Sequence, residues 1–381
     1  MNREIKKFIP RFVSFILPYT ILTIFTIVVF YKSGEIFWFN KTVKAQTVER
    51  RNFIFGAAYS NLPHKFRLLA VENISPKVMA LGASRMLQFR ASFFKDSIPF
   101  YTAGGVFKRL QQLRAFLESI PEENLPQTII VGLDQWWFNA RYDSAMKTKN
   151  DLVYNQFSWA DNWNGMQSWQ NFYYDWWNGK IILKKIWQES DGDVEWFGIS
   201  GRMAAFGYRK DGSRAYGNII ANGKTIKNKI LNSVDSVKAD YGIFRKSITI
   251  DRNALNELRM LLRFCKKHKI SVTGFLPPVD ELVLFEMKKN DSDYSHFFKL
   301  QEQISPVFRD YGFRVYDFLN AENYGSSTIE MIDAVHGSEK SYLKLYLHLL
   351  RKDAYLNQYS DSTFLRAKLD SAKGNFDVFG N

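Results

Sequence analysis

Five short apolar runs recur along the chain, opening near residues 77, 99, 128, 270 and 314, and each stops at glycine, proline or a polar residue. Runs of about four to eight Val/Ile/Leu-type residues read as strands buried on both faces, the pattern of a parallel sheet. The stretches between them carry helical spacing. Leu110, Leu113, Phe116, Leu117 and Ile120 make one stripe. Leu255, Leu258, Leu261, Leu262 and Cys265 make another, on a helix from Arg252 to His268 that Asp251 is placed to cap. Residues 294–310 read as a helix pair broken at Pro306, and Ser338–Tyr355 as a closing helix that buries Tyr342, Leu345, Tyr346, Leu349 and Leu350. This alternation predicts an α/β fold, a flavodoxin-like parallel five-stranded sheet with helices on both faces and its functional groups at the carboxyl ends of the strands.

The rhythm is interrupted twice. Phe12–Tyr31 is an uncharged run as long as the roughly 20 residues that cross a bilayer as a helix. It predicts one uncleaved transmembrane anchor over 8–31, with Phe37, Trp38 and Phe39 as an interfacial belt. Arg3, Lys6, Lys7 and Arg11 precede it and favour an inside amino terminus, although Lys32, Lys41, Lys44, Arg50 and Arg51 follow and dilute the bias. Residues 32–75 read as a juxtamembrane connector with some helix. The second interruption is a large insertion after the third strand, 136–249. It holds nine of the ten tryptophans, eight of them up to Trp187 and Trp196 just beyond, and Asp211-Gly212 marks a turn inside it. Aromatic rings suit sugar faces and protein cores alike, so the tryptophans either line a carbohydrate cleft or pack the insertion onto the sheet. The remaining boundaries are a domain over 76–355 and a C-terminal tail over 356–381.

With 381 residues and 46% hydrophobic content the chain can bury a large core. The single Cys265 excludes an internal disulfide. A net charge of +14 asks for an anionic surface or polymer, a demand that lipid head groups meet as readily as nucleic acid does. No zinc-type Cys/His spacing, phosphate loop or dinucleotide fingerprint occurs, and the five histidines are scattered. No metal, cofactor or nucleic-acid partner is therefore expected.

The chemistry gathers in two stretches. In Lys77–Arg85, KVMALGASR, the first strand stops at Gly82 and presents Ser84 at its carboxyl end. In Met331–Lys340, MIDAVHGSEK, Asp333 and His336 stand three apart just before the closing helix. Serine chemistry needs a base for the hydroxyl proton and a carboxylate that holds the base in the right tautomer. Gly104 and Gly105 follow the second strand, where a bare backbone N–H can approach a ligand. Asp134, Gln135, Trp136 and Asn139 follow the third. All of these fall at one sheet edge.

At these positions the sequence resembles the SGNH, or GDSL-like, hydrolase superfamily. Its blocks are a serine after the first strand, a glycine after the second, an asparagine after the third and a DxxH before the last helix. The resemblance covers 76–355 with the insertion set aside. The anchor, the insertion and the glycine-punctuated Phe206–Gly217 stretch are similar to the membrane-anchored branch, which includes proteins of teichoic acid D-alanyl transfer and alginate O-acetylation. The resemblance implies a nucleophile at Ser84, a general base at His336, an orienting Asp333, and an oxyanion hole from the backbone of Ser84 and of Gly104 or Gly105. Block three departs from the pattern: it reads GLDQWWFN, with Asp134 where a donor is expected. Gln135, on the opposite face of an extended strand from Asp134, is then the expected donor, with Asn139 second. Arg85 either binds an acidic substrate group or pairs with a nearby carboxylate, and Asp134 and Trp136 stand as further substrate contacts.

The implied activity is O-acyl transfer or ester hydrolysis on a cell-surface polysaccharide through an acyl-serine, with the catalytic domain outside the cytoplasmic membrane. A multi-spanning membrane-bound O-acyltransferase is the implied partner. The rival reading is a non-catalytic, membrane-tethered polymer-binding or assembly protein that keeps the fold.

Overall fold

In the computed structural model of the protein all five expected strands form. They are β1 (Val78–Leu81), β2 (Phe100–Thr102), β3 (Thr128–Gly132), β4 (Ser271–Leu276) and β5 (Arg314–Asp317), joined in one all-parallel sheet of order β2-β1-β3-β4-β5. This is the flavodoxin-like order, with its reversal between β1 and β3. The register sets Leu81 opposite Val131 and Gly132 opposite Phe275, so β1, β3 and β4 end along a common edge. The structure describes residues 3–36, 39–48, 52–59, 64–142, 166–188, 194–217 and 223–380. Phe37, Trp38, Trp159 and Trp163 lie outside them.

The strands are buried on both faces, as their unbroken apolar character requires. Val78, Ala80, Ile130 and Phe275 join a core with Tyr342, Leu345, Tyr346 and Leu349 of the closing helix Glu339–Lys352. The neighbouring Gly274 faces the other way, and a Cβ there would stand 2.6 Å from the Phe308 ring of helix Leu300–Asp310. The missing side chain lets that helix pack flat on the sheet. Helix Arg252–Lys267 carries the expected stripe, with Asp251 accepting from the Asn253 N–H at 2.8 Å as its cap.

Two expectations about helices change. The helix pair over 294–310 is divided at Lys299, between Ser295–Phe298 and Leu300–Asp310, while Pro306 sits inside the second helix. The burial of Leu300, Ile304, Val307 and Phe308 along one stripe outweighs the backbone bond that the proline removes. The residues after the closing helix also fold. Helix Ser362–Ser371 packs against it, and the N–H groups of Val378 and Phe379 both donate to the buried carboxylate of Glu339.

The chain divides into two units: residues 63–156 with 208–381, which hold the sheet, and residues 1–62 with 157–207. In the second unit a helix runs from Arg3 to Ser33, and its segment Phe8–Ser33 is long and apolar enough to cross a membrane. Strand Asn52–Phe55 of the expected connector pairs in parallel with Val194–Phe197 of the expected insertion. The helix Met166–Trp177 packs along the N-terminal helix. Its Tyr173 hydroxyl donates to the Leu22 carbonyl and accepts from Thr26 Oγ1, each at 2.9 Å, and Trp169 meets Tyr19 edge-on at 5.4 Å. Trp169 and Trp176 thus pack on the N-terminal helix, which answers the choice between cleft and sheet with a third place.

Candidate active site

Ser84 opens a short helical turn, Ser84–Gln88, directly after β1. Gly82 precedes it at φ +147°, a conformation that L side chains rarely adopt, and its absent Cβ would stand 2.6 Å from Met86 Cγ and 2.8 Å from the Gly132 carbonyl. The chain can reverse so sharply only with glycine there. The first backbone bond of the turn runs from the Met86 N–H to the Ala83 carbonyl at 3.1 Å, so the Ser84 N–H lies ahead of the internal bonding.

The base comes from a folded loop 252 residues further on. The Ile332 N–H donates to the His336 carbonyl at 2.7 Å, Met331 and Gly337 form an antiparallel bridge, and the Asp280 N–H just past β4 donates to the Ala334 carbonyl at 2.8 Å. Inside this loop Asp333 Oδ1 accepts the N–H groups of Val335 and His336, each at 2.9 Å. His336 Nδ1 then lies 2.8 Å from Asp333 Oδ2, and His336 Nε2 lies 2.7 Å from Ser84 Oγ. Burial acts to raise the Asp333 carboxyl, but the neighbouring His336 charge, its hydrogen bond and the two backbone N–H groups together bring it down to about 2. The carboxylate is therefore ionised at neutral pH, which favours a proton on Nδ1 and leaves Nε2 as the acceptor facing the serine.

Of the sequence-predicted residues, Ser84, Asp333 and His336 meet in hydrogen-bonding contact. Gly104 also lies against this turn: a Cβ on it would stand 2.9 Å from Met86 Cβ and 3.1 Å from the Ala83 carbonyl. Its N–H makes only a long 3.4 Å contact with Thr102 Oγ1. Gly105 takes φ +90° and is exposed.

Block three has a different role from the expected one. The strand ends at Gly132 and Gln135–Phe138 form a helical turn, so strand alternation no longer separates Asp134 from Gln135. Both are fully buried and both hold Arg85, whose guanidinium donates to Asp134 Oδ1 at 3.2 Å, to Gln135 Oε1 at 2.8 Å and to the Pro278 carbonyl. The Gln135 amide donates to the Pro277 carbonyl at 2.8 Å. Engaged at both ends and shut from solvent, Gln135 is not an oxyanion donor. Asn139 is not one either, since its amide donates to the Arg245 carbonyl at 2.6 Å and its oxygen accepts from the Arg141 N–H at 2.8 Å. Arg85, only 1% exposed, stands 5.0 Å over the Trp136 ring and binds no substrate group from there, nor do the buried Asp134 and Trp136. Burial pushes the Asp134 carboxyl up to about 6 against the pull of the Arg85 and His336 charges. This cluster ties the ends of β1, β3 and β4 together beneath the serine turn. The signal in the sequence was the reading of Arg85 as the partner of a carboxylate.

A cleft of about 420 Å³ opens at the same strand-end side, between the loop after β2 and the start of helix Arg252–Lys267. Lys108, Arg109, Gln111, Trp137, Tyr142 and Asn253 border it. The Trp137 indole N–H is buried without a hydrogen-bond partner among the described residues. Sequence reasoning passed over this cleft because its walls come from residues far apart in the chain.

Compared with known proteins, the chain matches no protein-family model and no curated protein.

Proposed function

We propose that the protein is a membrane-anchored serine O-acyltransferase or esterase of the SGNH type, modifying a cell-surface polysaccharide through an acyl-Ser84 intermediate. The observation that carries this reading is the continuous chain Ser84 Oγ, His336, Asp333, with 2.7 and 2.8 Å at its two links. As Ser84 Oγ attacks the acyl carbonyl, His336 Nε2 takes the hydroxyl proton. The tetrahedral oxyanion is held by the backbone N–H groups of Ser84 and Gly104. Collapse breaks the bond to the leaving group, which receives the proton from His336. In the second half His336 deprotonates a sugar hydroxyl or water, the new ester or acid leaves, and Ser84 recovers its proton. Asp333 stays ionised throughout and steadies the imidazolium.

Several features support the wider reading. The apolar helix supplies an anchor; the resemblance, and not the helix, suggests the outer face of the cytoplasmic membrane for the catalytic unit and a multi-spanning membrane-bound O-acyltransferase as the acyl source. The cleft bordered by the half-buried Tyr142 and amide side chains offers a ring and hydrogen-bonding groups to an acceptor glycan. The second reading, a tethered polymer-binding protein, draws on block three, where neither Gln135 nor Asn139 is left to donate to an oxyanion. A fluorophosphonate probe separates them. Wild-type protein should label at Ser84, while Ser84→Ala and His336→Ala should each abolish labelling and ester turnover almost as fully as the double variant, because the groups act as one unit. Wild-type polymer modification in cells carrying Ser84→Ala would leave the binding-protein reading in place.

A further inference from the structure

The helix Met166–Trp177 and the segment to Trp187 present apolar and aromatic side chains on two sides at once. One side is covered: Phe172, Ile181 and Ile186 are buried with Val29 and Phe30 of the N-terminal helix. The other is bare, with Trp177 92% exposed, Tyr174 67%, Trp187 50% and Ile182 49%. On the helix itself Gln167, Gln170 and Asn171 are exposed as well, so the bare aromatic patch begins at its carboxyl end with Tyr174 and Trp177 and continues through Ile182 to Trp187. The helix Met166–Trp177 is docked on the helix that is long and apolar enough to span a membrane, from Tyr19 to Phe30, the half of that span nearer Ser33. The part of the segment at the end of that span is Ile181 to Trp187, with Ile181 and Ile186 packed on Val29 and Phe30, and what lies there lies near the bilayer boundary. The exposed residue types fit that level, since tryptophan and tyrosine concentrate where one end of a ring is apolar and the other wet. Lys184 and Lys185 on the same segment supply cations that anionic head groups attract, while Lys180 pairs with Asp175 at 2.7 Å.

We propose that the segment Tyr174–Trp187 is a second membrane contact, an aromatic patch lying in the interfacial layer beside the carboxyl end of the spanning helix and bound to phospholipid through Tyr174, Trp177, Ile182 and Trp187. The anchor is then a spanning helix braced at its end by an interfacial aromatic patch, which restricts how that unit tilts and turns at the surface. This inference uses the span and not the serine chemistry, so it stands or falls apart from the proposed activity.

The single buried Cys265 makes the test clean. In a Cys265→Ala background, Trp177→Cys is labelled with an environment-sensitive fluorophore and the full chain is reconstituted in phosphatidylcholine vesicles containing some phosphatidylglycerol. Phe15→Cys, at an exposed position of the span, serves as the lipid reference, and the fluorophore on free cysteine in buffer serves as the water reference. The expected result at position 177 is blue-shifted emission that is quenched by lipids spin-labelled near the head group more strongly than by lipids labelled deep in the chain. Emission like the water reference at 177, whatever Phe15→Cys reports, overturns the proposal. Blue-shifted emission without quenching by either lipid also overturns it and assigns the surface to a protein partner.

Discussion

Replacing Asp333 with asparagine isolates what the carboxylate does for His336. Oδ1 accepts two backbone N–H groups at 2.9 Å, so in Asp333→Asn the carbonyl oxygen is drawn to that position and the amide nitrogen replaces Oδ2, 2.8 Å from His336 Nδ1. An N–H there competes with the carbonyl oxygen, itself 2.9 Å from Nδ1, so a share of the imidazole moves its proton to Nε2, facing Ser84, where the ring no longer acts as a base. The negative charge is lost as well. A unit charge about 4 Å from the imidazolium at an effective dielectric near 20 is worth about 4 kcal/mol, roughly a thousandfold in rate. With the wrong tautomer added, the expected loss in kcat/KM is about 10⁴-fold, near the loss that the same change causes in serine proteases. Asp333→Ala should be comparably slow for a different reason, and less stable, because the Val335 and His336 N–H groups lose their shared acceptor. The assay is 4-nitrophenyl ester hydrolysis beside the rate of fluorophosphonate labelling, with urea unfolding to show that Asp333→Asn stays folded. An Asp333→Asn variant within about tenfold of wild type in both rates would refute the orienting role, since a loss below about 1.4 kcal/mol leaves no room for either effect.

Arg85→Met leaves Asp134 buried without its counter-charge and should cost about 3–5 kcal/mol in urea unfolding, most of it recovered in Arg85→Met/Asp134→Leu; equal stability of single and double variants would contradict the pairing. Gly104→Ala places a Cβ 2.9 Å from Met86 Cβ, so the serine turn must shift; fluorophosphonate labelling should slow by about 10²-fold and urea unfolding should show a loss of about 1–3 kcal/mol, and wild-type labelling would contradict the placement. Burial lowers the pKa of His296 to about 4 against the pull of its hydrogen bond with the Ser247 carbonyl. The unfolded chain therefore binds a proton first, and stability should fall as pH drops from 6.5 towards 4, by at most about 3 kcal/mol, with a shallower fall in His296→Gln.

The sequence by itself determined the strands, their parallel arrangement, the capped helix after Asp251, the apolar span and the three members of the serine constellation. Each is a local signal: a run of apolar side chains, a helical stripe, or a residue placed just past a strand end. Ser84 and His336, 252 positions apart, could be paired because a parallel sheet delivers strand ends to one edge whatever lies between them. What only the tertiary structure decided depends on which groups become neighbours after strands stop. Past Gly132 the backbone leaves the extended form, so face alternation ceased to sort Asp134 from Gln135, and Arg85 claimed both. Helix Leu300–Asp310 runs through Pro306 because buried side chains outweigh one lost backbone bond. Trp169 and Trp176 found their place on the N-terminal helix because an aromatic ring packs equally well on sugar, sheet or helix, and composition carries no address among them.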